Sequence, residues 1–267
     1  MSGLTAPFTK SLLANPAIAG LYERATQNEF LALAGQGRLP RQELSQWLSQ
    51  DRLYCQAYAR FIGGLVSRVR LPRETETPTA DTLEWRILRL LRDALDGMMT
   101  ELRFFEDTAR QYGIDLAAVG SEMEGQDLGF GPNKTTQGYI DLFDSFTATP
   151  SAADSTAPAR PDKSLFEGLL VLWVTEQAYL DSWSYAKRQD PAGQDPAQDL
   201  DGGALRKHFI GNWTSDAFKA FVKEIEECLE ALAATQRHDN EEVLLASSIS
   251  VVKNVLVLEE AFWPVVA

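Results

Sequence analysis

The chain has 267 residues, 45% of them hydrophobic, and a formal net charge of −13. That length can bury one large core, whereas nucleic acid and anionic membrane are poor partners for so acidic a surface. Two cysteines, Cys55 and Cys228, are too few for a disulfide framework. No apolar run approaches the roughly 20 residues of a membrane span, and neither end carries a secretory or retention signal. A reducing cytoplasm is the expected setting.

Along the chain, apolar residues recur with the period of a helix, and nothing alternates with period two for long. The pattern predicts helices over 16–35, 41–70, 81–112, 134–146, 164–188, 203–211, 214–236 and 239–262. Pro40 sits near the first turn of the second helix, and Thr214, Ser215 and Asp216 offer capping oxygens before the stripe of Phe218, Phe221, Ile225 and Leu229. Segments 72–80, 147–162 and 189–203 are rich in Pro, Gly, Ser, Thr and Asp. They read as surface loops within one domain over 1–267, since no piece between them has an obvious core of its own. The expected fold is an all-α, single-domain helical bundle.

Three segments set an acid among aromatic residues. In the first, Asp51, Tyr54 and Tyr58 share a helical face, with Trp47 one turn upstream. Asp51 can accept hydrogen bonds from an amino group; the alternative is an ion pair with Arg52 or another surface cation. In the second, Trp173, Glu176, Tyr179 and Trp183 recur at spacings of three and four. A carboxylate there can bond ring nitrogens or activate water, or it can lie at the solvent edge of an amphipathic helix. In the third, Glu259 shares a face with Phe262 and Trp263, beside a stripe of Val251, Val252, Val255 and Leu258. Glu260 points about 100° away, toward solvent. Tyr139 is a candidate pocket phenol or a core residue. Cys55 points to another face than Tyr54 and reads as a small core hydrophobe, while acidic neighbours disfavour a thiolate at Cys228.

Taken together, QDRLYCQAYARF (50–61), TTQGYIDLF (135–143), LWVTEQAYLDSW (172–183), GNWTSDAF (211–218) and LEEAFW (258–263) resemble, in order and spacing, the motifs of the TenA or thiaminase II family. The resemblance runs from about Asn15 to Trp263. It implies the all-helical fold shared with haem oxygenase, and a pocket for 4-amino-2-methylpyrimidine compounds. It implies hydrolysis of the C–N bond at the 5-methylene carbon, giving 4-amino-5-hydroxymethyl-2-methylpyrimidine in thiamin salvage. No cofactor or metal is implied, and a homo-oligomer, dimer or tetramer, is.

Residue by residue, the resemblance makes Asp51, Tyr54, Tyr139, Tyr179 and Trp213 substrate-binding and Glu176 and Glu259 catalytic. Many members have Tyr where this chain has Trp213. One branch carries a nucleophilic cysteine on the central helix; here Thr175 and Glu176 stand there instead, and no cysteine lies on that helix. The chain is similar to the cysteine-lacking, glutamate-bearing branch, which is associated with aminomethyl or formylaminomethyl pyrimidines. A carboxylate attacks an electron-rich aminopyrimidine poorly, so Glu176 is expected to activate water as a general base, with Glu259 protonating a ring nitrogen or the leaving amine.

Two other readings stay open. A pyrimidine-binding or regulatory protein of the same fold would keep the pocket without turnover. A metal-dependent or haem oxygenase of this fold would need histidine ligands, whereas His208 and His238 both lie in the last quarter of the chain, and none is three or four residues from Asp51, Glu176 or Glu259.

Overall fold

The computed structural model of the chain describes residues 6–73, 82–119, 130–147 and 163–266, with the helical backbone alone over 237–241. Most of the segments 72–80 and 147–162 expected as loops therefore lie outside the described residues. Among those described there are nine α-helices and no strand.

Local chemistry fixes most helix ends. A short helix, α1 (Phe8–Leu13), lies between Pro7 and Pro16 and was not expected. Its first turn is satisfied at long range: Glu230 accepts from the Phe8 and Thr9 amides at 2.9 and 2.7 Å. The helix expected over 16–35 is two, α2 (Pro16–Thr26) and α3 (Glu29–Gly35). Asn28 breaks them by capping the Phe30 amide, just as Asn15 caps Ala17. Helix α4 (Arg41–Val66) starts after Pro40, and α5 (Leu83–Tyr112) ends on Gly113 in the left-handed region at φ 65°. Asn133 caps α6 (Lys134–Asp144), and Ser164 caps α7 (Leu165–Arg188) through the Glu167 amide.

The C-terminal third corrects the sequence reading most. The helices expected over 214–236 and 239–262 are one continuous helix, α9 (Asp216–Phe262). No Gly or Pro occurs anywhere in that span, and Asp239-Asn240 alone does not break a helix. Ser215 caps it. Before it, a π-helical turn (Leu205–Phe209) runs into α8 (Ile210–Trp213).

Segment 189–203 is anchored rather than a loose insertion. It holds a 3-10 turn at Pro196–Gln198. Arg206 grips Asp199 with two hydrogen bonds, at 2.7 and 2.6 Å, and Asp190 with a third. Asp201 caps the following turn through the Gly203 and Leu205 amides. On the other side, Gly37 approaches Asp199 so closely, at φ 69°, that a Cβ there would lie 2.2 Å from its carboxylate.

Helices α7 and α9 pack along one another; α2 lies against both, α3 against α7, and α4 against α5 and α6. Gly35 permits the α3–α7 approach, since a Cβ there would sit 1.8 Å from the Ala186 carbonyl oxygen. Buried side chains form two cores. One is aliphatic and phenylalanine-rich, around Tyr58, Phe61, Phe143, Leu170 and Val252. The other is a tryptophan cluster: Trp47 stacks on Trp263 at 5.6 Å, and Trp183 lies 4.4 Å from Trp213. Tyr54, Met98 and Phe262 touch both cores, and that seam is where the acids gather.

Candidate functional site

A cavity of about 380 Å³ opens between α4, α5, α7 and the α8–α9 junction. Its wall includes Asp51, Tyr54, Glu101, Glu176, Tyr179 and Trp213. Five of the seven residues singled out from the sequence therefore converge here, from helices far apart in the chain. Tyr139 and Glu259 are brought close but do not line this cavity: Tyr54 does, and its ring packs edge-to-face on Tyr139 at 4.9 Å. They sit one side chain deeper.

Helical spacing explains the convergence. On α7, Trp173, Val174, Thr175 and Glu176 are all buried, so the helix is core on nearly every side in its first half and carries Glu176 inward with it. Glu176 is 6% exposed, which excludes a place at the solvent edge. Its Oε1 accepts a 2.5 Å hydrogen bond from the Tyr58 hydroxyl. Glu259, 5% exposed, accepts an equivalent 2.5 Å bond from Tyr139. Asp51, 3% exposed, is not paired with Arg52; its Oδ2 accepts from the Tyr179 hydroxyl at 3.2 Å.

Among the described residues each acid thus receives a phenol and no cation. Dehydrating a carboxylate costs several kcal/mol, while one phenol hydrogen bond to it returns only about 1.5–3 kcal/mol. Burial therefore wins, and the carboxyl groups rise. Glu176 is pushed up to about 7 by burial against the opposing Tyr58 bond, with Glu101 adding to the rise. Glu259 is pushed up to about 8 by burial, which Tyr139 opposes and Glu176 reinforces. Asp51 is raised well above the usual carboxylate range, first by burial and then by Glu101. At neutral pH Glu176 is poised to exchange a proton, and Glu259 holds one.

Several neighbours escaped the sequence reading. Glu101 lines the cavity and accepts from the Trp213 indole N–H and from Asn212 Nδ2, the latter at 3.2 Å. Its signal was present: Met98, Glu101 and Phe105 share one face of α5, an acid on an apolar stripe like that of Glu176. Phe218 and Phe221, read as core stripe, line the cavity, whereas Ile225 and Leu229 are core. Cys55 also lines it, contrary to the expectation that it faces elsewhere, but burial and then Asp51 push its thiol well up, away from a reactive thiolate. The Cys228 thiol rises to about 11, chiefly by burial. Trp183 is fully buried in the tryptophan cluster, and Glu260 faces solvent as expected, where it pairs with Arg24 at 2.7 Å. No residue of 189–203 lines the cavity.

Among the described residues, no three His, Cys, Asp or Glu side chains group in a way that could hold a metal ion. No described helix is long and apolar enough to cross a membrane.

Comparison with known proteins gives the fold. No protein-family model matches the chain. A TenA homologue from Pyrococcus furiosus superimposes with a TM-score of 0.67 at 21% identity, covering 96% of this chain and 98% of that one. A TenA family transcription regulator from Silicibacter gives 0.65 at 14% identity, covering 98% and 97%. A putative TenA-like thiaminase from Sulfolobus solfataricus gives 0.58 at 15% identity, covering 98% and 96%. The all-α, haem-oxygenase-like fold of TenA homologues is therefore the fold of this chain. Among curated proteins, a probable transcription factor from Fusarium pseudograminearum is 31% identical over 247 residues, 82% of this chain. The chain spans 44% of that relative's length.

Proposed function

We propose that the chain is a TenA-type, cysteine-independent hydrolase of aminopyrimidines. It would cleave the C–N bond at the 5-methylene of an aminomethyl or formylaminomethyl pyrimidine and release the 5-hydroxymethyl compound. The observation that carries this is Glu176: a buried carboxyl near neutrality, on the wall of an aromatic cavity, with one oxygen bonded by Tyr58 and the other without a hydrogen-bond partner among the described residues. The cavity volume falls within the range of small-molecule sites.

The chemistry follows from the groups present. Asp51 would accept from the exocyclic amino group, and Tyr179, Trp213 and Tyr54 would hold the ring between aromatic surfaces. Ionised Glu176 takes a proton from water as the water oxygen bonds to the methylene carbon. The C–N bond breaks, its electrons leave with nitrogen, and the proton passes from Glu176 to that nitrogen. Direct proton donation by Glu259 does not suit its place one layer behind Tyr54. Glu259 and Tyr139 better fit positioning roles, holding Tyr54 against the ligand. The Cys55 thiol takes no part.

The similarity to the Fusarium probable transcription factor and the Silicibacter TenA family transcription regulator favours a second reading, a pyrimidine-responsive regulator. One assay separates the two. The purified protein is incubated with thiamin and with aminomethyl and formylaminomethyl pyrimidines, and products are identified by mass. Release of the hydroxymethyl compound supports the hydrolase, and saturable binding without product supports the regulator. An intracellular setting and a homo-oligomer belong to the same proposal; light scattering on the purified chain tests the latter.

A further inference from the structure

Apart from Glu176, the cavity has a graded electrostatic design that the hydrolytic step does not explain. Asp51 and Glu176 form a buried floor, and the exposed Asp93, Gly97 and Asn212 form a rim. Glu101 stands between them, half-buried. Among the described residues lining the wall there is no Lys, Arg or His, and at the rim Asp93 is paired with Arg92 at 2.6 Å. Asp51 Oδ1 and Glu176 Oε2, both on side chains more than nine-tenths buried, have no hydrogen-bond partner among the described residues, so they are open acceptors aimed at whatever fills the space. A neutral aminopyrimidine would satisfy Asp51 and leave the acceptor oxygens of Glu101 and Glu176 unmatched. A ligand carrying a positive charge would match them and favour their ionised forms, and the rings of Trp213, Tyr179 and Phe218 on the same wall suit a cation.

Glu101 is fixed for that task. Burial raises the Glu101 carboxyl, and the two neutral donors that hold it, the Trp213 indole on Oε1 and Asn212 on Oε2, orient it and oppose that rise. A carboxylate has about four acceptor positions, so two remain for a ligand.

We propose that Glu101 is a specificity-determining residue that selects pyrimidines bearing a protonated amino substituent over neutral analogues of the same size. The inference rests on the pyrimidine reading above and narrows it: the aminomethyl compound is the substrate, and the formylaminomethyl compound, which is neutral at the reacting nitrogen, is a poor one. The reaction then balances without a separate acid. Water bonds to the methylene carbon, the C–N bond of the ammonium breaks, nitrogen departs as ammonia with the bonding pair, and the water proton held on Glu176 converts it to ammonium.

The test uses two ligands of equal size that lack the cleavable bond, the 5-(2-aminoethyl) and 5-(2-hydroxyethyl) analogues of 4-amino-2-methylpyrimidine. Each is titrated calorimetrically at pH 7 into the wild type, Glu101→Gln and Glu101→Asp. The wild type should prefer the amine at least about tenfold, the scale of one charged hydrogen bond. Glu101→Gln should lose most of that preference while binding the alcohol within about twofold of wild type, which also reports an intact cavity. Glu101→Asp should keep part of the preference, and it decides the matter if Glu101→Gln binds neither compound. An undiminished preference in Glu101→Gln, or none in the wild type, overturns the assignment to Glu101 and leaves the pyrimidine reading standing. Failure of the wild type to bind either compound overturns the pyrimidine reading and this inference with it.

Discussion

The Tyr58 hydroxyl reaches Glu176 from a helix more than a hundred residues away in sequence and is the sole hydrogen-bond donor to that carboxylate among the described residues. The pair is repeated by Tyr139 and Glu259, and Tyr54 packs against both phenols, 6.0 Å from Tyr58 and 4.9 Å from Tyr139. Of these two phenol–carboxyl pairs, joined by a third phenol, the Glu176 pair contributes its acid to the cavity wall, as the Asp51–Tyr179 pair also does, and the Glu259 pair does not.

Because the Tyr58 bond favours the ionised form, removing it should make Glu176 a weaker acid. Tyr58→Phe is expected to move the acidic limb of the pH–activity profile upward from about 7. It should also cost about 1–3 kcal/mol of stability, the scale for leaving a buried polar group unsatisfied. An acidic limb unmoved in a folded variant contradicts the role given to this bond.

The buried acids set a sign for stability against pH. Glu176 and Glu259 sit at about 7 and about 8 in the folded chain, against an ordinary value of 4.5. Between those limits the folded state holds more protons than the unfolded, so their contribution is complete below about 4.5 and is lost as pH rises through 7 and 8. At about 1.4 kcal/mol per pKa unit the pair costs several kcal/mol over that window. Urea unfolding at pH 5 and pH 8 should show the loss, and Glu259→Gln should flatten it.

The anchored segment 189–203 depends on one cation. The Arg206 and Asp199 side chains are 3% and 0% exposed. Arg206→Ala leaves the Asp199 carboxylate buried without its cation, and should cost about 3–5 kcal/mol of unfolding free energy, read from urea titration. Arg206→Lys keeps the charge but loses the bidentate fork, and should recover only part. A change under 1 kcal/mol in Arg206→Ala would show the segment to be independent of the pair.

The long-range cap of α1 makes a local prediction. Glu230 holds the Phe8 and Thr9 amides and the Thr9 hydroxyl. Glu230→Ala should speed hydrogen exchange of those two amides, at a cost of about 1–2 kcal/mol, and leave exchange in α7 unchanged. Unaltered protection at Phe8 and Thr9 would contradict the cap.

What the sequence disclosed and what it hid follow from range. The acid-among-aromatics segments were visible because i, i+3, i+4 spacing is local, and each of them lies at the seam of the two cores. The depth of Glu259 was not visible. That Tyr54 stands between it and the cavity depends on how α4, α6 and α9 pack, which no local spacing encodes. Glu101 carried the same local signal as Glu176, but only packing shows that α5 turns that face toward Trp213. Helix α1 was missed because its cap comes from Glu230, more than two hundred residues distant. Only polar residues stand at the break expected near 236–239, and without Gly or Pro the helix continues.

The role of Glu176 is tested most directly by single-turnover hydrolysis of the 5-aminomethyl pyrimidine at pH 7, comparing the wild type with Glu176→Gln. The isosteric change removes the proton acceptor while leaving a partner for Tyr58. The wild type should release ammonium and the hydroxymethyl pyrimidine in equal amounts, and Glu176→Gln should be slower by about a hundredfold or more while still binding the ligand. Equal rates in the two proteins would contradict water activation by Glu176.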